Sequence, residues 1–320
     1  MDLKKFQYNG KYLMLALDHR GSFRKYVNKT KPEEVSVDDL IKTKAMIIES
    51  VQDQFSGVLI DAEWGLPAYA TASARQARLR SKPYLLPLEK SGYLPATPAT
   101  APDMPDGSRG GRGGLAWRAG TDKKGDRITE LGYTAKQLKE MGAGGTKLLL
   151  YFNPESATCG QQIKTAKKAL DDSRKNEMPF FLEIVTYGNE ELGKSRSEWV
   201  LRSLEILLKN KIVPDVWKLE YPASAKATAG EAGSLESCKK ITELVASTPW
   251  ILLTRGESFE VFAKQLQDAV SAGAVGFLAG RALWQEIGDY QTDEEKRNFL
   301  NDVVADRFAK ISKIVLGKQL

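Results

Sequence analysis

Eight short apolar runs, each closed off by polar residues or by Gly and Pro, recur along this chain at 12–17, 57–61, 83–88, 146–151, 179–184, 215–220, 249–254 and 274–279. They are apolar at successive positions rather than alternately, which is how strands read when both faces of a sheet are covered. Helical patterns lie between most of them, at 37–54, 161–176, 195–209, 257–272 and within 294–316, with apolar residues spaced i, i+3, i+4 and i+7. Such an alternation predicts an α/β fold, a single (β/α)8 TIM barrel occupying 1–320. A doubly wound sheet is the alternative, but no Gly-x-Gly-x-x-Gly follows the first run. Two segments break the rhythm, 94–120 and 223–233. Both are rich in small residues and aperiodic, and they read as flexible loop insertions on the catalytic face, after strands 3 and 6.

Composition narrows the chemistry. His19 is the single histidine, and the cysteines are Cys159 and Cys238 alone. A zinc site would lack imidazole and thiolate ligands, and any Ser-His-Asp or Cys-His mechanism would have to run through His19. No metal and no cofactor are expected. Without a CxxC pair or a disulfide framework, the expected compartment is a reducing cytoplasm. No apolar run reaches the ~18 residues of a membrane span, mean hydropathy is −0.37, and the N-terminus lacks a signal-peptide h-region. The formal charge is +6. Between positions 107 and 128, six basic residues (Arg109, Arg112, Arg118, Lys123, Lys124, Arg127) face Asp122 and Asp126, a net +4 in one Gly-rich stretch. Without interleaved aromatics that stretch is weak support for a nucleic-acid site, and nucleic acid is not an expected partner.

In a (β/α)8 barrel, catalytic side chains emerge at the C-terminal ends of strands. The ionisable residues there are Asp18, His19 and Arg20 on strand 1, Asp61 and Glu63 on strand 2, and Glu89 and Lys90 on strand 3. Lys147 lies on strand 4, Glu183 on strand 5, Lys218 and Glu220 on strand 6, Arg255 after strand 7 and Arg281 after strand 8. Any of them could form a rim salt bridge. Lys147 and Lys218 stand out because both lie within apolar strands, where an ammonium is costly unless it is paired or loses its proton. A lysine whose pKa is lowered by burial and a neighbouring cation suits imine chemistry. Pairing with Asp18, Asp61, Glu183 or Glu220 would instead make each lysine a structural tie. Gly280-Arg281, with Arg255-Gly256 at the neighbouring strand end, offers backbone N–H groups and guanidiniums to a phosphate.

Several segments together resemble one family. They are Leu15-Ala16-Leu17-Asp18-His19-Arg20-Gly21, Asp61-Ala62-Glu63-Trp64-Gly65-Leu66-Pro67-Ala68 and Lys147-Leu148-Leu149-Leu150-Tyr151, then Phe181-Leu182-Glu183-Ile184, Trp217-Lys218-Leu219-Glu220-Tyr221-Pro222 and the stretch from Gly276 through Arg281 to Trp284. The chain resembles the class I tagatose-1,6-bisphosphate aldolases, a family that includes sulfofructose-phosphate aldolase relatives. The resemblance implies metal-free, Schiff-base cleavage of a phosphorylated ketose, tagatose 1,6-bisphosphate, to dihydroxyacetone phosphate and glyceraldehyde 3-phosphate. It assigns the imine to Lys218, proton transfer to Glu183, substrate contact to Lys147, the strand-1 acid to Asp18 and phosphate binding to Arg281 with the Gly256 and Gly280 amides. His19, Arg20 and Asp61 are further candidates to touch the substrate. His19 stands where the family has Gln, and Arg255 where it has a small residue. The expected partner is a small-molecule sugar phosphate, and family relatives are commonly oligomers, with Trp284 and the C-terminal helix offering apolar surface for a homo-oligomer. A related aldolase acting on a sulfosugar phosphate or a deoxy-keto-gluconate phosphate, and a non-catalytic sugar-phosphate-binding barrel, are the competing readings.

Overall fold

The computed structural model describes residues 2–95, 126–190, 192–223 and 232–317. Its eight main strands are β1 (Tyr12–Leu17), β2 (Gly57–Ile60), β3 (Tyr84–Pro87), β4 (Gly145–Phe152), β5 (Phe180–Thr186), β6 (Val216–Leu219), β7 (Trp250–Leu253) and β8 (Gly276–Ala279). They close into a barrel in the order β1-β8-β7-β6-β5-β4-β3-β2, and each neighbouring pair is parallel. Around it lie α1 (Val37–Ser50), α2 (Gly65–Arg75), α3 (Ala135–Glu140), α4 (Cys159–Lys175), α5 (Arg196–Lys209), α6 (Ala232–Val245), α7 (Phe259–Ser271) and α8 (Ala305–Leu316). The expected (β/α)8 barrel is therefore present.

The strand residues divide by parity. Tyr12, Met14 and Ala16 of β1, Leu59 of β2, Leu85 of β3, Phe181 of β5, Val216 of β6, Ile251 of β7 and Leu278 of β8 pack together inside the barrel, with Phe6 at its floor. Phe6 and Tyr12 each set a ring edge against Phe181, at centroid distances of 5.5 and 6.1 Å. The opposite parity faces the helices in a second, larger core. Packed on both faces, the strands carry few polar residues, which is why they read as apolar runs.

Helix starts follow their caps. Ser36 with Asp39, Thr134 with Gln137 and Ser195 with Glu198 form reciprocal capping boxes at α1, α3 and α5, each cap worth about 1 kcal/mol. The sequence pattern did not yield α2, α3 or α6. α2 is an Ala/Thr/Ser-rich segment with little apolar contrast, α3 has six residues, and α6 begins at Ala232, inside the small-residue stretch expected to be loop. The stretch read as one C-terminal helix is Asp293–Phe299, a π-helical turn at Leu300–Val304, and α8.

Most of the two expected insertions lies outside the described residues. Of the first, only 94–95 is described, in a two-stranded antiparallel ribbon with Arg127–Ile128; the basic residues Arg109, Arg112, Arg118, Lys123 and Lys124 are not. Of the second, Ala223 and the first residues of α6 are described. Trp284 is wholly buried, its indole N–H 3.3 Å from the Ala16 carbonyl, so it is core rather than an apolar surface for a partner. No described helix is long and apolar enough to cross a membrane.

Candidate active site

Towards the C-terminal ends of the strands, the inward parity turns from apolar to charged. Phe181 is followed two positions later by Glu183, Val216 by Lys218, and Ala16 by Asp18. Leu85 and Pro87 lead to Glu89 in the same way, and Gly145 leads to Lys147. Register sets these side chains against one another. Glu183 is the cross-strand partner of Lys218, and Leu149 is the partner of Glu183, which puts Lys147 on the same face one step lower.

The result is a network of two lysines and three carboxylates at the barrel mouth. Lys147, wholly buried, has its Nζ 2.8 Å from Asp18 Oδ2 and 3.3 Å from Glu183 Oε2, and it donates a short hydrogen bond to Glu89. The other oxygen of Glu89 accepts the Leu149 N–H at 3.0 Å. Lys218, 3% exposed, has its Nζ 2.8 Å from Glu183 Oε1. Glu183 thus bridges the two ammonium positions with separate oxygens.

Burial and charge pull against each other here. Burial disfavours the charged form of Lys147, but Asp18, Glu89 and Glu183 outweigh it and raise its pKa well above the lysine norm. Burial likewise opposes the charge on Asp18, yet Lys147 and Lys218 hold its carboxyl below the ordinary carboxylate range. For Glu89 burial wins, and its pKa is raised in spite of Lys147. His19 is pulled down to about 3, chiefly by burial, against the attraction of Asp18 and with Arg281 and Lys44 repelling its proton. The imidazole is therefore neutral at physiological pH.

These groups line a cavity of about 310 Å³, together with Arg20, Lys90, Tyr151, Thr254, Arg255 and Arg281. Arg281 Nη1 lies 3.4 Å from the Tyr26 hydroxyl, and its Nε has no hydrogen-bond partner among the described residues. Gly256, at φ +104°, lets the chain pass close to this side chain, since a Cβ there would stand 3.2 Å from Arg281 Nη1. At Gly280 a Cβ would sit 2.8 Å from the Ala16 carbonyl oxygen. Arg20 donates to the Glu89 carbonyl at 3.1 Å and stands 3.9 Å from Glu63. Arg255 reaches across to Glu220 at 2.5 Å and to the Thr186 carbonyl at 3.0 Å. Thr186 also donates to Glu220.

Two expectations need correcting. Asp61 does not face the cavity. It is wholly buried against Lys44 and accepts the Glu63, Trp64 and Gly65 N–H groups at 3.0, 2.7 and 3.1 Å, capping the start of α2. A carboxylate at a helix start found its partners in the backbone and in a lysine from α1, the helix just before β2. The Gly280 N–H already donates to Thr254 Oγ1 at 3.2 Å, so it is not a free donor for an anion. Glu89 was visible as an ionisable strand-end residue without a role, whereas Tyr151 and Lys44 went unnoticed. Counting upward by twos from the inward residues of β3 and β4 reaches both Glu89 and Tyr151.

Comparison with known proteins places this geometry. Residues 12–286 match the family described as DeoC/LacD family aldolase. The chain is 30% identical to the tagatose 1,6-diphosphate aldolase of Staphylococcus aureus strain JH9, over 94% of this chain and 90% of that protein. Among solved structures, a fructose-bisphosphate aldolase from Plasmodium falciparum superposes with a TM-score of 0.67 at 15% identity, covering 99% of this chain and 93% of the other. One from Slackia heliotrinireducens gives 0.62 at 14%, covering 99% and 89%. At such identities the structures speak to the fold alone.

Proposed function

The chain belongs to the DeoC/LacD aldolase family, and on that premise we propose that it is a carbon–carbon lyase working through a Schiff base on Lys218. The observation that carries this reading is the division of labour between two buried lysines sharing Glu183. Three carboxylates keep Lys147 protonated, and an ammonium has no lone pair with which to attack a carbonyl. Lys218 touches one carboxylate, Glu183, which is placed to take its proton at 2.8 Å.

The free amine of Lys218 adds to the C2 carbonyl of the ketose, and loss of water gives an iminium. That cation draws in the electron pair of the C3–C4 bond as a base removes the C4 hydroxyl proton, so the C4 fragment departs as an aldehyde. Glu183 is the nearest candidate for that base and for returning a proton to C3 of the enamine. Hydrolysis then releases dihydroxyacetone phosphate and regenerates the amine. The fixed Lys147 charge, held by Asp18, Glu89 and Glu183, contributes a positive potential at the site where the oxyanion develops. Arg281, whose Nε is unused, suits the C1 phosphate and would hold C2 beside the amine.

The name of the Staphylococcus aureus relative and the several cations lining the cavity support tagatose 1,6-bisphosphate as substrate, with glyceraldehyde 3-phosphate as the aldehyde product. Borohydride trapping with dihydroxyacetone phosphate, followed by peptide mapping, tests the chemistry. The expected adduct is on Lys218 and disappears in Lys218→Met. An adduct on Lys147 would reverse the two roles. No adduct, with phosphate esters still bound, would leave a sugar-phosphate-binding barrel without catalysis.

A further inference from the structure

Arg281 stands after β8, and in the closed order β1-β8-β7-β6-β5-β4-β3-β2 the strand four steps away in either direction is β4. A second guanidinium stands on that opposite side. Arg127, in the chain returning from the ribbon, places its Cζ 4.8 Å from the Tyr93 ring, 5.6 Å from Tyr151 and 4.8 Å from Tyr187. Tyr151 lines the cavity, and Gly92, the neighbour of Tyr93, lines it too. Arg127 therefore packs near a ring that itself lines the cavity.

The other cations at or near the mouth are accounted for. Arg20 is near Glu63, Lys90 pairs with Glu130, and Arg255 pairs with Glu220. Arg196, at the start of α5, also has an unpartnered Nε, but burial and the neighbouring Arg255 outweigh Glu220, Glu190 and Glu257 and lower its pKa. Arg127 has no carboxylate partner among the described residues, and its Nε is shielded from solvent with no hydrogen-bond partner there. Its backbone is fixed firmly. The Arg127 N–H donates to the Tyr187 hydroxyl at 2.9 Å, and the Gln162 amide donates to the Arg127 carbonyl at 3.0 Å and to the Tyr151 carbonyl at 2.7 Å. A planar cation held against aromatic faces, with an unfilled fork of donors, is well suited to receive a phosphate.

We infer that Arg127 is the receptor for the second anionic group of the substrate, the phosphate that departs with the aldehyde, facing Arg281 across the mouth. This rests on the aldolase reading above and deepens it. The tyrosines hold the guanidinium on the side of the mouth opposite Arg281, so Arg127 discriminates a ketose bisphosphate from a ketose carrying phosphate at C1 alone.

Calorimetric titration of ketose 1,6-bisphosphate and of ketose 1-phosphate, into the full chain carrying Lys218→Met so that neither ligand is cleaved, and into the same chain with Arg127→Met added, tests this. The full chain is expected to prefer the bisphosphate. Arg127→Met is expected to lose about ten- to a hundredfold in bisphosphate affinity, the usual worth of a charged hydrogen-bonded contact, with ketose 1-phosphate unchanged. Arg127→Lys, which keeps a cation over the tyrosines without the fork, should lie between. Equal losses for both ligands, accompanied by a lower melting temperature, would make Arg127 a structural anchor of residues 126–131 and overturn the inference. Unchanged binding of both ligands would overturn it as well. Trapping with dihydroxyacetone phosphate, which has a single phosphate, is independent of Arg127. Failed trapping with an intact bisphosphate preference would remove the catalytic reading and leave this site standing.

Discussion

His19 shows how far a residue's neighbours can set its chemistry. Burial, reinforced by Arg281 and Lys44, holds its pKa at about 3 against a reference of 6.5, and Asp18 does not compensate. Its Nδ1 is shielded and unpartnered among the described residues, while its ring meets Trp284 edge-on at 5.2 Å. The folded state therefore refuses a proton that the unfolded chain takes up below about 6.5. The sign follows: this contribution is whole above the unfolded pKa and is lost as pH falls through the window down to about 3. Relative to His19→Gln, which cannot titrate, the protein should lose stability by up to about 1.4 kcal/mol per pH unit between pH 6 and 4. Urea unfolding of both proteins across that range measures it. Parallel stability curves would mean that His19 gains a proton in place. His19 was legible as a strand-end residue, but its neutrality was not, because Arg281 and Lys44 come from distant positions in the chain.

The elements that carry the site are fixed by a pair of which the sequence pattern showed only Asp61. Lys44 lies on α1 among Leu40, Met46, Ile47 and Ile48 of the buried face, where an ammonium needs partners. Its Nζ donates to the Leu17 and His19 carbonyls, each at 2.8 Å, and to Asp61, which in turn caps α2. One ammonium thus joins the middle of α1 to the end of β1, the end of β2 and the start of α2, next to His19. Asp61 was legible as a strand-end carboxylate, but its partner was not; the helical spacing that puts Lys44, unlike Lys42, on the face of Leu40, Ile47 and Ile48 was the signal that could have found it. Lys44→Met should cost about 3–5 kcal/mol, the penalty of a buried carboxylate stripped of its counter-charge. Lys44→Met combined with Asp61→Asn should recover part of that loss. Chemical denaturation of the two single variants and the double variant gives the coupling. Strict additivity would show that the pair is not energetically linked.

At the scale of the whole molecule, the barrel was readable because a covered parallel strand has few places for polar residues, so eight strands left eight apolar runs. Parity within those runs places the catalytic groups: Asp18, Glu89, Lys147, Glu183 and Lys218 all continue the inward series of their own strands. Among the described residues, every ion pair of the two lysines of that network is with a carboxylate on β5 or just after β1 or β3. The stretch 96–125 lies outside the described residues. That stretch leaves and rejoins the barrel at one point, because Pro95 and Arg127 are cross-strand partners in the ribbon. A short Gly-containing hairpin turn in place of 96–125 should therefore close the ribbon and leave the barrel folded, changing unfolding free energy by no more than about 0.5 kcal/mol. Imine trapping on Lys218 should survive the replacement, since the amine, its bridging carboxylate and Arg281 are all retained. The measurement is trapping yield with dihydroxyacetone phosphate alongside a thermal melt of the shortened chain. An intact melt with trapping abolished would show that the excised residues act in the chemistry itself, and the barrel-wall network would then be an incomplete active site.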